Sequence, residues 1–114
     1  MIWLNGILLP EPSGLDIGIH DITRSERSSS GRMSQEFIAR KRTVSIEYER
    51  IVGTDIDAIL ANLESRVFHA LRYPDPRGGE RTITAYVGDR AMGAFYTIGG
   101  ARWWQGVKFT MIEQ

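Results

Sequence analysis

The sequence contains no cysteine, so neither a disulfide framework nor thiolate chemistry is open to it. That absence fits an intracellular origin. It also has no net charge: 14 Lys+Arg stand against 14 Asp+Glu. Whole-chain electrostatics therefore gives no reason to expect nucleic acid or an anionic membrane as partner. A near-zero net charge gives little protection against self-association. No apolar run approaches the roughly 20 residues that span a bilayer. The opening MIWLNGILLP is too short for a secretory signal and lacks a basic leading segment. No internal repeat is visible. What remains is the composition of an ordinary globular protein, 42% hydrophobic and 25% charged over 114 residues. That length fits a single domain, residues 1–114, with enough chain to bury a core unaided. The chain reads as a complete small gene product.

Local pattern is mostly of period two. Asn5-Gly6 lies between Ile2/Trp3/Leu4 and Ile7/Leu8/Leu9, and supplies the two positive-φ residues of a type I′ hairpin turn. Pro10 and Pro12 end that ladder because neither can donate a backbone hydrogen bond. Leu15, Ile17 and Ile19 then share one face, with Asp16, Gly18 and His20 on the other. Alternation resumes with Val44, Ile46 and Tyr48 opposite Thr43, Ser45, Glu47 and Glu49. The period changes only once. Ile56, Ile59, Leu60, Leu63 and Val67 form a helical stripe, with Thr54 as N-cap and Asp55 and Asp57 in the first turn. This predicts one helix over about 55–66. VFHALRY reads as a strand, PDPRGGE as a turn, and RTITAYVGD as its hairpin partner. A glycine-spaced segment follows, and the last strand sets Val107, Phe109 and Met111 on one face. The expected fold is α+β and mainly antiparallel β. It is a small β-sandwich or barrel, with one flanking helix and a long protruding hairpin over about 15–50.

Chemical motifs are few. Glu47 and Glu49 share a strand face roughly 7 Å apart, a spacing open to a glycosidase pair, but opposite Val44, Ile46 and Tyr48 they read as a solvated face. His20 and His69 lack the convergent partners that a metal site needs, so no metal and no cofactor are expected. Ser28 to Ser30 have neither a rigid base nor an oxyanion hole nearby in sequence, so no catalysis is assigned to them. The glycines match no phosphate-binding loop. Arg24, Arg27, Arg32, Arg40, Lys41 and Arg42 crowd into 19 residues beside Glu26 and Glu36. This basic hairpin could bind phosphates, although no aromatic residue interleaves it for base stacking. The excess of Arg over Lys, 12 against 2, instead suits bidentate pairing with carboxylates across protein contacts. Of Trp103 and Trp104, period two allows at most one to face the core, which leaves the other as a contact residue.

The stretch DITRSERSSSGRM, residues 21–33, holds four serines and three arginines between two strands. A free two-stranded ribbon is marginal in water and its open edges invite pairing. A neighbouring copy that receives it would relieve both problems, in a head-to-tail, closed assembly. The contact residues expected from this reasoning are Arg24, Arg27, Ser29, Arg32, Met33, Arg40, Arg42 and Trp103.

The order of several short motifs resembles a family of short proteins encoded among the tail genes of long-tailed phages and prophages. The motifs are Asn5-Gly6 with Pro10 and Pro12-Ser13, then Asp21-Ile22, Arg27 and Gly31 in the hairpin. Arg40-Lys41-Arg42, Tyr73-Pro74-Asp75-Pro76, Tyr86-Val87-Gly88-Asp89-Arg90 and the tryptophan-bearing last strand follow. The resemblance implies a fold similar to tail-tube and distal-tail proteins: a β-sandwich or barrel flanked by a helix, assembling as hexameric rings. It also implies a virion-tail location, assembly in the host cytoplasm, and no chemistry. Its partners would be further copies of itself and other tail or baseplate proteins, with DNA only in transit through the lumen and no membrane. The alternative left by the residues themselves is a nucleic-acid-binding β-barrel that uses the basic hairpin.

Overall fold

A computed structural model describes residues 1–27 and 33–114 of the chain. It is mainly antiparallel β, 65% strand, with a single helix among the described residues. The strands are β1 (Trp3–Leu4), β2 (Ile7–Leu8), β3 (Gly14–Arg27) and β4 (Met33–Val52), followed by α1 (Gly53–Glu64). Then come β5 (His69–Pro74), β6 (Glu80–Ala91), β7 (Ala94–Ile98) and β8 (Ala101–Glu113). They form one sheet in the order β2-β1-β5-β6-β8-β4-β3, and β7 also pairs with β8.

Inward residues from β1, β4, β5, β6 and β8 join Ile56, Ile59 and Leu63 of α1 in a single buried cluster. The sheet therefore curves around one face of the helix. Val44, Ile46 and Tyr48 are buried together with Val107, Phe109 and Met111, as their alternation predicts. The linker from Leu9 to Ser13 crosses from the β2 edge to the β3 edge. It is tied down where the Tyr48 hydroxyl donates to the Pro10 carbonyl at 2.8 Å, and the Ser13 N–H to the Glu47 carbonyl at 2.8 Å.

The first turn has the expected geometry, with φ of 54° at Asn5 and 84° at Gly6. The Asn5 side chain then joins three elements. It accepts from the Ala70 N–H and donates to Asn62 Oδ1, each at 2.9 Å, and lies 2.9 Å from His69 Nδ1. That contact makes Nδ1 the acceptor and leaves the proton on Nε2, which is buried with no hydrogen-bond partner among the described residues. Burial, followed by the charge of Arg66, holds the His69 pKa below its ordinary value.

Two local expectations are corrected. The helix covers residues 53–64, and Thr54 sits inside its first turn; Val52 holds the N-cap position without a side-chain cap. The reason is that β4 runs into α1 without a loop, and Val52 is still paired with Trp103. Val67 leaves the helical stripe altogether, because the helix has ended before it; it is 73% exposed.

The glycine-spaced segment is a second long hairpin. β6 and β7 lie end to end along the same side of β8, Ala91 opposite Lys108 and Ala94 opposite Gln105. Their junction is Gly93, at φ 64°, where a Cβ would stand 1.9 Å from the Gln105 carbonyl oxygen. Only glycine fits there. Across from it, Gly106 takes φ 74° and breaks the alternation of β8. Trp104 consequently packs on the same core as Val107, Phe109 and Met111 although its parity differs from theirs.

Candidate interaction surface at the root of the ribbon

β4 is longer than its neighbour β8. Their last pair is Thr43 with Ile112, whereas β3 and β4 stay paired out to Arg27 opposite Met33. Residues 33–42 thus have β3 on one side and, among the described residues, no strand on the other. This ribbon is roughly 30 Å long at ~3.4 Å per residue. It accounts for the elongated outline of 71 × 27 × 26 Å. The ladder extends further into the polar stretch than its composition implies: Arg24 lies opposite Glu36 and Ser25 opposite Gln35.

The root is clamped in several ways. The Arg42 N–H donates to Glu113 Oε1 at 2.9 Å, and Lys41 Nζ donates to the Gln114 carbonyl. On the core-side face, Arg42 Nε meets Asp75 Oδ1 at 2.9 Å, with both side chains almost wholly buried at 5% and 3% exposure. The Tyr73 hydroxyl donates to the same oxygen at 3.2 Å, and the Arg77 N–H to Asp75 Oδ2 at 3.3 Å. Burial pushes the Asp75 carboxyl up. The Arg77 amide, the Arg42 charge and the Tyr73 hydroxyl outweigh it, so the net direction is down. Burial and the Asp75 charge push Tyr73 up to about 12. The PDP turn is thereby anchored beneath the ribbon.

One pair outward along the same face, Arg40 Nε meets Asp21 Oδ1 at 2.7 Å, both side chains about half exposed at 49% and 47%. The hydrogen bond from Arg40 holds the Asp21 carboxyl below its usual range. Arg40, Arg42, Arg77 and Arg81 together line an open concavity here. Arg77 and Arg81 are exposed and have no carboxylate partner among the described residues.

The residues expected at an intersubunit contact fall into distinct positions. Arg24, Arg27 and Met33 lie on the ribbon ladder. Ser29 and Arg32 lie outside the described residues. Arg40 is on the exposed root. Arg42 is not available as expected: its guanidinium is buried against Asp75 of its own chain, because β4 turns that side chain under the PDP turn. Trp103 is half-buried, between Val52 and Tyr96 in register, while Trp104 stacks tilted on Phe95 with centroids 5.1 Å apart. Trp3, on the far edge, carries the Arg72 guanidinium 4.6 Å above its ring. Composition could not single out Arg77 and Arg81. Their role as the open half of an arginine cluster appears only when the PDP turn folds under β4.

The other chemical candidates are not assembled into a site. Glu47 and Glu49 are both exposed, and the Glu49 N–H is bound to Ser13 Oγ at 2.9 Å. His20 is exposed on the ribbon while His69 is buried in the Asn5 network. Among the described residues no three His, Cys, Asp or Glu side chains are grouped to hold a metal. Nor is any described helix long and apolar enough to cross a membrane. Compared with known families and curated proteins, the chain matches no family model and no curated sequence.

Proposed function

We propose that this chain is a structural component of a phage or phage-like tail. It forms a ring in the tube, distal-tail or baseplate region through intersubunit contacts of the ribbon, without catalysis. The observation that carries the reading is the ribbon itself, whose residues 33–42 extend past the last β8 pair with one edge unpaired among the described residues. An isolated ribbon is marginal in water, and an unpaired edge is a template for another chain. The cost of building it makes sense in an assembly that receives it. The root supports the same reading, since the buried Arg42–Asp75–Tyr73 network holds the ribbon's base in one direction. Tyr73 and Asp75 belong to the very motif that carries the sequence resemblance. A hexameric ring and a virion-tail location follow from that resemblance.

Sedimentation of the purified chain, with co-sedimentation in tail particle preparations, tests the proposal. Association, or recovery with tails, is the expected result. A chain that is monomeric at high micromolar concentration and absent from tail particles would overturn it.

The arginine concavity favours a second reading, in which exposed Arg77 and Arg81 take nucleic-acid phosphates. That reading requires binding at low salt that falls steeply as salt rises. No measurable DNA or RNA binding at low ionic strength removes it.

A further inference from the structure

β8 stops between two strands that carry on. Its last pairs are Ile112 with Thr43 of β4 and Glu113 with Ala85 of β6. Beyond them β4 continues through Arg42 and Arg40 against β3, and β6 continues through Ile83 and Arg81 against β5. Arg40, Arg42, Arg77 and Arg81 line the hollow at this place, about 460 Å³ in volume. Ile19 and Asp21 line its adjoining part with three of the same arginines. Four like charges thus converge on one hollow in a chain that carries no net charge.

Arg42 is the informative member. Its side chain is 5% exposed, and its Nε is bound to Asp75 Oδ1 at 2.9 Å. Its two Nη nitrogens have no hydrogen-bond acceptor among the described residues. A buried guanidinium donor without an acceptor is costly. These nitrogens escape full burial only because Arg42 opens on the hollow. Arg77 follows Pro76 in a turn fixed by the Gly78 N–H on the Asp75 carbonyl at 2.9 Å and the Asp75 N–H on the Gly79 carbonyl at 3.1 Å. Arg81 is the next position after Ala85 and Ile83 along the inward face of β6, opposite Tyr73. The carboxylates nearby are committed elsewhere: Glu80 to Arg72 at 3.0 Å, and Glu113 to the Arg42 backbone N–H, from where it lines a different depression. The hollow therefore sets Asp21 and Asp75 against four arginines, an excess of two positive charges.

We propose that this hollow binds a dianionic phosphate group, free or as a monoester, between the Nη nitrogens of Arg42 and the guanidiniums of Arg77 and Arg81. Arg40, held by Asp21, stands at its mouth. A single carboxylate is satisfied by one guanidinium fork. A tetrahedral phosphate offers oxygens in several directions at once, and its charge near −2 matches the excess. The buried Arg42 gives the site a fixed floor, and the hydrogen-bonded turn places Arg77 beside it. The hollow is larger than one phosphate, which leaves room for the group that carries it. A phosphodiester brings one charge per phosphate and leaves part of the excess unmet. The proposal asks nothing of the assembly reading. It differs from the nucleic-acid reading in requiring a dianion at one point, not a backbone along a surface.

Calorimetric titration of the full chain with inorganic phosphate, in chloride at low ionic strength, provides the test. Saturable binding of one phosphate per chain is expected. Arg77→Gln and Arg81→Gln should each weaken it about tenfold. Arg50→Gln, further along β4 and away from the hollow, should leave it unchanged. All three residues are exposed, so thermal melts without phosphate should match the wild type. Arg42→Lys keeps a charge beside Asp75 but loses the Nη fork, and phosphate binding should fall with it; where that variant does not fold, the two exposed arginines decide. A short oligonucleotide with a 5′-phosphate, and the same one without, separate the sources. Displacement of inorganic phosphate by the phosphorylated form alone assigns the site to a monoester, and displacement by neither assigns it to the free ion. Three results would overturn the proposal: no saturable phosphate binding, unchanged binding by the Arg77 and Arg81 variants, or equal displacement by both oligonucleotides. Sedimentation with tail particles is a separate measurement, so a failure here leaves the proposed function to its own test.

Discussion

The molecule contains two long hairpins of similar construction that end very differently. In the hairpin made by β6, β7 and β8, the last strand has neighbours on both sides, and its inward residues reach the buried cluster beneath α1. In the hairpin made by β3 and β4, the same alternation is present but the surroundings stop partway. Ile46 is fully buried and Ile17 half-buried. Ile19, one step further along the same face, is 44% exposed, and Asp21 beyond it has an arginine partner instead of a core. What changes along the strand is the presence of β8 and the helix, not the period. A strand pattern states which side a residue takes; whether that side is covered depends on how far the neighbouring elements run.

The sharpest way to break this comparison uses one residue type in both settings. Ile46→Ala should cost about 2–5 kcal/mol in a urea unfolding series, because it empties a closed site. Ile22→Ala, on the ribbon at 46% exposure, should stay within about 0.5 kcal/mol. Equal effects would mean that the ribbon is packed as tightly as the body.

The two ion pairs supply the next contrast. Asp75→Asn leaves Arg42 buried without its counter-charge and should lower the urea midpoint clearly. Asp21→Asn removes a half-exposed pair and should leave the midpoint nearly unchanged. Raised salt should alter only the second pair noticeably.

A smaller effect is expected from pH. The folded-state pKa of His69 is depressed from its ordinary 6.5, so the unfolded chain takes up the proton first. The stability this contributes is present above pH 6.5 and is lost as pH falls below that value toward the folded-state pKa. Asp75, lowered from 3.8, adds a second loss only below that pH. Unfolding midpoints measured from pH 8 to pH 3 would show two steps, and His69→Gln should remove the upper one.

Removing the ribbon itself should also cost the body little. Asp21 and Arg40 are directly opposed, so an Asn-Gly turn can join them and delete residues 22–39. The shortened chain should melt within a few degrees of the full one and yet fail to co-sediment with tails. A large fall in melting temperature would show instead that the ribbon supports the body.

Much of the body was legible in the residues. The Asn5-Gly6 turn, the Val44/Ile46/Tyr48 and Val107/Phe109/Met111 faces, and the Ile56/Ile59/Leu63 stripe all follow from period and turn chemistry. They are local signals that tertiary packing did not override. The helix boundary was misplaced by two residues because the capping signal at Thr54 competes with a strand that never leaves its partner. The outcome for Trp103 and Trp104 followed the rule that only one faces the core. The rule could not reveal that Gly106 resets the parity that puts Trp104 there. The candidate surface was half legible: the arginines of residues 24–42 were visible as a cluster. The withdrawal of Arg42, and the arrival of Arg77 and Arg81, depend on a contact across 33 positions of sequence.

By itself the sequence determined where strands, turns and the helix would form, and which face of each would be apolar. Dihedral preference and side-chain period act within a few residues. Only the tertiary structure decided that β3 and β4 stay paired beyond the last β4–β8 pair, and that Arg42 is a buried structural ion. These are properties of relative length and placement between elements, which arise when separate segments share one sheet and one core.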